Sequence, residues 1–218
     1  MKKSDSSILS SRDRILKAAK TLFAGKGYEQ ATTSAIARLA GTSETQLLKH
    51  FGSKQGLLDA IFTTGWKEIL GDAEQTVANL QSPSEKLPAV VRIVLKGFEV
   101  DPELKMLILL EGRRIRKSGP ALALSEGFLA FVRLTDEILN EMRDKGILRP
   151  DVHPQAVRSA LMGMLEGLLR DSLLAQKAGY PANYSTRELP WMFELVLSCF
   201  AGGSPTRQPV EIAKSGQT

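Results

Sequence analysis

The chain has 218 residues, 43% of them hydrophobic and 24% charged, with a formal net charge of +5. This is ordinary globular composition with material for a sizeable core. The longest apolar runs, such as Met106 to Leu110, are too short to span a bilayer, and the lone Cys199 excludes an intramolecular disulfide.

The N-terminus, Met1-Lys2-Lys3-Ser4-Asp5-Ser6-Ser7, has two basic residues but no apolar stretch behind them. It does not read as a secretion signal, so a cytoplasmic location and no membrane partner are expected. Cys199 lies in the apolar run Phe193 to Phe200, where a buried, unreactive thiol is expected. The positive charge is unevenly placed. Residues 1–60 hold ten Lys and Arg against five Asp and Glu, and the remaining residues balance at nineteen of each. A basic module beside a neutral one points to a polyanion at the N-terminal end.

Residues 1–10 are Ser-rich and polar and are expected to form a disordered tail. A helix is predicted from Ser11 to Lys26, because Ile15, Ala18, Ala19, Leu22 and Phe23 recur at three- and four-residue spacing. Gly25 and Gly27 end it, and Tyr28 is placed to pack back onto it. Thr32 and Thr33 open a short helix from Thr33 to Ala40, whose buried side is Ile36, Ala37 and Ala40. Gly41 closes it and allows a tight turn. Ser43 begins a third helix, ending at Phe51-Gly52, and Ser43-x-x-Gln46 fits a capping box. Ser53 caps a fourth helix, predicted from Lys54 to about Gln81.

Five more helices are predicted: Ser84 to Val100, Pro102 to Lys117, Pro120 to Lys145, Pro154 to Gly179 and Thr186 to Gly202. Prolines near the starts and glycines past the ends punctuate them. Residues 204–218 are rich in Gly, Ser, Pro and Gln and are expected to be a loose tail. The expected fold is all-α with about nine helices. Residues 11–58 would form a three-helix N-terminal domain, and residues 59–203 a helical C-terminal domain.

Two short helices joined by a Gly-containing turn in a basic region form a helix-turn-helix pattern. In such a unit the second helix enters the major groove and the first crosses the backbone. Here the groove helix is Ser43 to Phe51. Leu47 and Phe51, four apart, face the core, while Glu44, Thr45, Gln46, Lys49 and His50 face outward.

The order and spacing of these residues resemble the DNA-binding domain of the tetracycline-repressor (TetR) family. The resemblance rests on Arg14 to Ala19, Phe23, Gly27-Tyr28, Thr32-Thr33, Ile36-Ala37, Ala40 to Ser43, Leu47, His50-Phe51, Ser53-Lys54 and Leu57-Leu58. It covers residues 11–60. Beyond them only the helical layout and length match. The resemblance implies that Thr33 and Lys54, each at a helix start, bind phosphate. It implies that Lys49 and His50 touch backbone or groove edge, beside the cap residues Thr32 and Ser43. Thr42, Glu44, Thr45 and Gln46 occupy base-reading positions; Gln suits adenine and Lys suits guanine. Each role has a plainer competitor. Thr33 and Gln46 could serve only as helix caps, and Glu44 could be only a favourable charge at a helix start. Where the family usually has a backbone-contacting aromatic, this chain has Leu48, so one contact is expected to be missing.

The resemblance further implies a homodimer through the last two long helices on a pseudo-palindromic operator. Small residues Ala156, Ala160, Gly163 and Gly167, and then Trp191, Leu195, Ser198 and Gly202, form stripes compatible with it. Packing within one chain is the competing reading. The family usually encloses a small-molecule pocket in the C-terminal domain. Its candidate lining is Trp66, Phe98, Met106, Leu110, Phe128, Phe131, Met162 and Leu165, although for any single one of them plain core packing is the favoured reading. Glu166 and Arg170, four apart, read as an ion pair.

The expected function is a sequence-specific transcription regulator, a repressor released by a small ligand. The alternative is a DNA-binding regulator without one, working as an activator or under a protein partner. An enzyme is disfavoured: His50 and His153 are far apart, and neither a phosphate loop, Gly-x-Ser-x-Gly nor a dinucleotide fingerprint occurs. No metal or cofactor is expected.

Overall fold

The structure is a computed structural model, described for residues 9–111 and 125–202. Residues 1–8 of the tail expected at 1–10, and the whole tail expected at 204–218, lie outside the described residues. The first helix, α1 (Ser11–Lys26), starts at Ser10, whose hydroxyl accepts from the Asp13 amide at 3.1 Å. It buries Ile15, Ala18, Ala19 and Phe23. Tyr28 does fold back, its ring centroid 5.2 Å from that of Phe23.

Helix α2 (Thr33–Leu39) is capped by Thr32, which accepts from the Ala35 amide at 3.2 Å. Gly41 then takes φ +65°, the left-handed conformation the tight turn requires. Helix α3 (Glu44–Phe51) follows, with Ser43 accepting from the Gln46 amide at 3.2 Å. Ile15, Ala19, Phe23, Ile36, Leu47 and Leu57 are essentially inaccessible and form one small core between α1, α2, α3 and the start of α4.

Helix α4 (Lys54–Ala78) is the spine of the molecule. It packs against α1 and α3 at one end and against α5 (Pro83–Val100) and α7 (Glu126–Asp144) further on. It stops at Ala78, three residues short of expectation, where Asn79 breaks the register. The predicted helix from Pro102 is split into α6 (Pro102–Met106) and a π-helical turn at Leu107–Glu111. Hydrophobic spacing does not distinguish these two windings, so the sequence reads them as one helix. Residues 112–117 of that prediction, and 120–124 of the next, lie outside the described residues. Helix α7 is capped by Ser125, which accepts from the Phe128 amide at 3.3 Å.

Helix α8 (Pro154–Ala178) ends at Gly179, as expected. Helix α9 (Leu189–Ser198) is shorter than predicted. A 3-10 turn at Thr186–Glu188 precedes it, closed by a reciprocal Ser185–Glu188 capping box. After Ser198 the chain turns to pair with residues 147–149. The Arg149 amide donates to the Phe200 carbonyl, and the Gly202 amide to that of Ile147, both at 2.9 Å. Cys199 sits in this turn and is exposed, correcting the expectation of a buried thiol. The apolar run around it signalled burial, but the helix ends before its face reaches the core.

A charged clamp joins α5 to α7. Lys145 and Lys86 both donate to Glu141, at 2.8 and 2.7 Å, and hold its carboxyl below the usual carboxylate range. Among the described residues there are nine α-helices, and the only extended pairing is the Leu148–Ala201 bridge. No described helix is long and apolar enough to cross a membrane.

Candidate nucleic-acid interface and effector cavity

The turn at Gly41 leaves α2 and α3 packed through Ile36, Ala37 and Leu47, with their other faces outward. Thr32, Ser43, Glu44, Thr45, Lys49 and His50 are exposed; Thr33, Thr42, Gln46 and Lys54 are half-buried. All ten predicted contact residues therefore reach the surface of the basic module.

Their polar groups are mutually engaged. The Thr33 hydroxyl donates to the Glu44 carboxylate, tying the start of α2 to the start of α3. Thr32, not Thr33, caps α2, so the Thr33 hydroxyl is spent on Glu44 rather than on the helix start. Gln46 does not complete a capping box. Its amide nitrogen lies 3.4 Å from His50 Nε2, one turn along the same face.

Lys54 occupies the first turn of α4, where the exposed amides already favour an anion. Its ammonium lies 4.4 Å from the Tyr28 ring centroid and donates to the Glu29 carbonyl at 3.2 Å. The Tyr28 hydroxyl donates in turn to Gln55 Oε1 at 3.2 Å. Sequence reasoning missed Tyr28 as the support of Lys54, because nothing in local spacing brings positions 28 and 54 together. It also passed over Arg38, exposed in the last turn of α2, and Arg14, whose guanidinium donates to the Ala40 carbonyl at 3.2 Å.

A second feature lies under α4. Trp66, Phe98, Phe128, Phe131, Met162 and Leu165 come together around an apolar cavity of about 60 Å³. Val91, Val94, Leu95, Ile108, Leu109 and Leu169 complete its walls, and Glu166 brings a carboxylate to them. Trp66 meets Phe131 at 5.1 Å and Phe128 at 5.7 Å between centroids. Gly127 permits this approach, since a Cβ there would lie 2.5 Å from that of Trp66. Met106 is not in the wall; Lys177 Nζ approaches its sulfur at 3.4 Å instead. The side chain of Leu110 lies outside the described residues. Arg170 pairs with Asp171 at 3.3 Å. Periodicity marked all these positions as apolar without showing which face encloses space.

Residues 15–61 match the family described as bacterial regulatory proteins, tetR family, and residues 62–180 match the YsiA-like protein C-terminal region. The chain belongs to the TetR family. It is accordingly a DNA-binding transcriptional regulator with an N-terminal helix-turn-helix and a helical C-terminal region. The HTH-type transcriptional regulator UidR of Escherichia coli K12 is 26% identical over 164 residues, covering 73% of this chain and 80% of UidR. The fold matches the fatty acid degradation regulator FadR of Bacillus halodurans with a TM-score of 0.73 at 24% identity, covering 95% of this chain and all of that one. FadR of Bacillus subtilis in complex with stearoyl-CoA also gives 0.73, at 21% identity, covering 88% and 98%.

Proposed function

We propose that this TetR-family regulator is a homodimeric repressor that leaves a pseudo-palindromic operator when an apolar effector enters the cavity beneath Trp66. The carrying observation is that cavity, walled by aromatic and aliphatic side chains, with Glu166 the one ionisable group among the described residues that line it. Such a lining selects an apolar ligand body by area burial. A long-chain acyl thioester is the first candidate, because a fold-level neighbour is a fatty acid regulator seen with stearoyl-CoA. At about 60 Å³ the cavity is too small for such a chain, so entry must part its walls. The π-helical turn, which carries Ile108 and Leu109, is the natural place, since such turns are rare and concentrate at functional sites.

On the DNA side, Thr33 and Lys54 would hold phosphate, and Lys49 and His50 the backbone or groove edge. Thr42, Glu44, Thr45 and Gln46 would meet base edges, with Thr32 and Ser43 fixing the helix starts. In this reading residues 11–58 serve DNA and residues 59–203 serve effector binding and dimerisation, with α4 continuous across the division. An effector releases DNA only if it binds the DNA-free arrangement better.

The test is fluorescence anisotropy on an operator selected by the protein, titrated with palmitoyl-CoA and with coenzyme A. Release by the thioester but not by coenzyme A is expected. Indifference to every apolar compound tried, with operator binding intact, would favour the regulator that uses no small ligand.

A further inference from the structure

We propose that Leu48, flanked by Thr45, reads a thymine 5-methyl group in the major groove of each operator half-site. The inference rests on α3 being the groove helix. Residues three apart on a helix are surface neighbours, so Thr45 and Leu48 form one strip along α3. Leu48 is 41% exposed, while the adjacent Leu47 is fully buried in the domain core. The helix therefore already has its anchor, and Leu48 is not part of the hydrophobic core.

Its neighbours on the same surface are polar, and several are engaged. Glu44 holds Thr33, and Gln46 lies against His50. Lys49 is exposed beside them. A single exposed leucine on a protein surface is unremarked as a rule. This one lies in the middle of the helix that faces a polyanion. A leucine gains nothing from phosphate, and the one apolar group on the major-groove edge of a base pair is the thymine methyl. The Thr45 methyl beside it widens the apolar strip so that the thymine methyl can be shielded from water on two sides.

Deoxyuridine supplies the test, because it removes that methyl while leaving base pairing and phosphate charge unchanged. An operator is selected from a random-sequence pool by the full-length protein. Each thymine is then replaced singly by deoxyuridine, and affinity is measured for wild type and Leu48→Ala. One position per half-site is expected to lose affinity about fourfold, and about fifteenfold when both half-sites are replaced, from burial of one carbon each. Leu48→Ala should bind thymine and uracil equally there while keeping its helicity and its salt-dependent binding to unrelated DNA.

A wild type indifferent to every methyl would overturn the assignment. So would a methyl preference that survives in Leu48→Ala. A pool yielding no enriched sequence would instead overturn the reading of α3 itself, and the Leu48 assignment with it.

Discussion

The Asp101 carboxylate serves Lys20 and α6 at once. One oxygen accepts from the Leu104 amide at 3.0 Å, capping α6, and the other pairs with the Lys20 ammonium on α1. Helix α6 runs directly into the π-helical turn at the cavity wall. A shift of that turn would thus reach the DNA-binding domain through this pair. Asp101→Asn keeps a competent cap but removes the charge. Its thermal midpoint should stay near wild type, because this pair keeps about a quarter of each side chain exposed and such solvent-screened pairs contribute little. Its effector-induced loss of operator affinity should shrink several-fold in anisotropy titrations. Asp101→Ala should also lose about 1 kcal/mol of stability with the cap. An unchanged effector response in both variants would remove Lys20–Asp101 from the coupling route.

The same junction has no room at Gly65. A Cβ there would overlap the Leu104 side chain, lying 2.8 Å from its Cδ1. Gly65→Ala should therefore destabilise the protein by about 1–3 kcal/mol through overpacking. The double variant Gly65→Ala, Leu104→Ala should recover part of that loss, giving a favourable interaction term in a double-mutant cycle by urea denaturation. Additive losses would mean that α6 moves aside freely.

In the DNA-free chain Lys54 rests on the Tyr28 ring and the Glu29 carbonyl, which holds its charge at the start of α4. Lys54→Ala should weaken operator and unrelated DNA alike. The slope of log affinity against log salt should become less negative by about one per protomer. Lys54→Arg should keep the wild-type slope. If Lys54→Ala leaves the slope unchanged, its ammonium does not meet phosphate.

Most of the helix-turn-helix was legible in the sequence because its determinants are local. Thr32, Gly41 and Ser43 act on their own turns, and Ile36 and Leu47 follow helical spacing. What the sequence hid was non-local or depended on winding. The Lys54–Tyr28 contact joins positions far apart in the chain. The π-helical turn at Leu107 has the same apolar spacing as the α-helix expected there. Cys199 read as buried because a hydrophobic run does not show where its helix stops. Six of the eight candidate lining residues surround the cavity and Met106 does not, because apolar spacing does not show which face encloses space.

Tyr184 closes the connection between α8 and α9 by donating to the Leu168 carbonyl at 2.6 Å. Burial, with the charge of nearby Asp171, raises its phenol above the usual value. A raised folded-state value means that this contribution to stability is complete below about pH 10 and is lost as pH rises through the folded value. Thermal midpoints should fall on the alkaline side more steeply for wild type than for Tyr184→Phe, which has no phenol to ionise. Parallel alkaline limbs would show that burial does not raise this phenol in solution.

The face formed by α8 and α9 is apolar, accessible and set by buried anchors on its reverse side. Phe193 and Leu197 fix α9 to the core, and Glu194 pairs with Arg92 of α5 at 2.8 Å. Trp191 and Leu195 consequently point away, 63% and 51% exposed, while Ala156, Ala160 and Gly163 are exposed along α8. Small residues there admit close helix approach, and the two large ones supply area to bury. Trp191→Glu places a charge at the centre of the proposed two-fold interface, where an unpaired buried carboxylate is costly. Sedimentation should show the dimer of the wild type converted to monomer, with helicity unchanged. Operator affinity should drop by roughly a hundredfold or more, because the second half-site is no longer held at high effective concentration. Binding to an isolated half-site should be nearly unaffected. A Trp191→Glu protein that stays dimeric and binds the full operator normally would place the interface elsewhere.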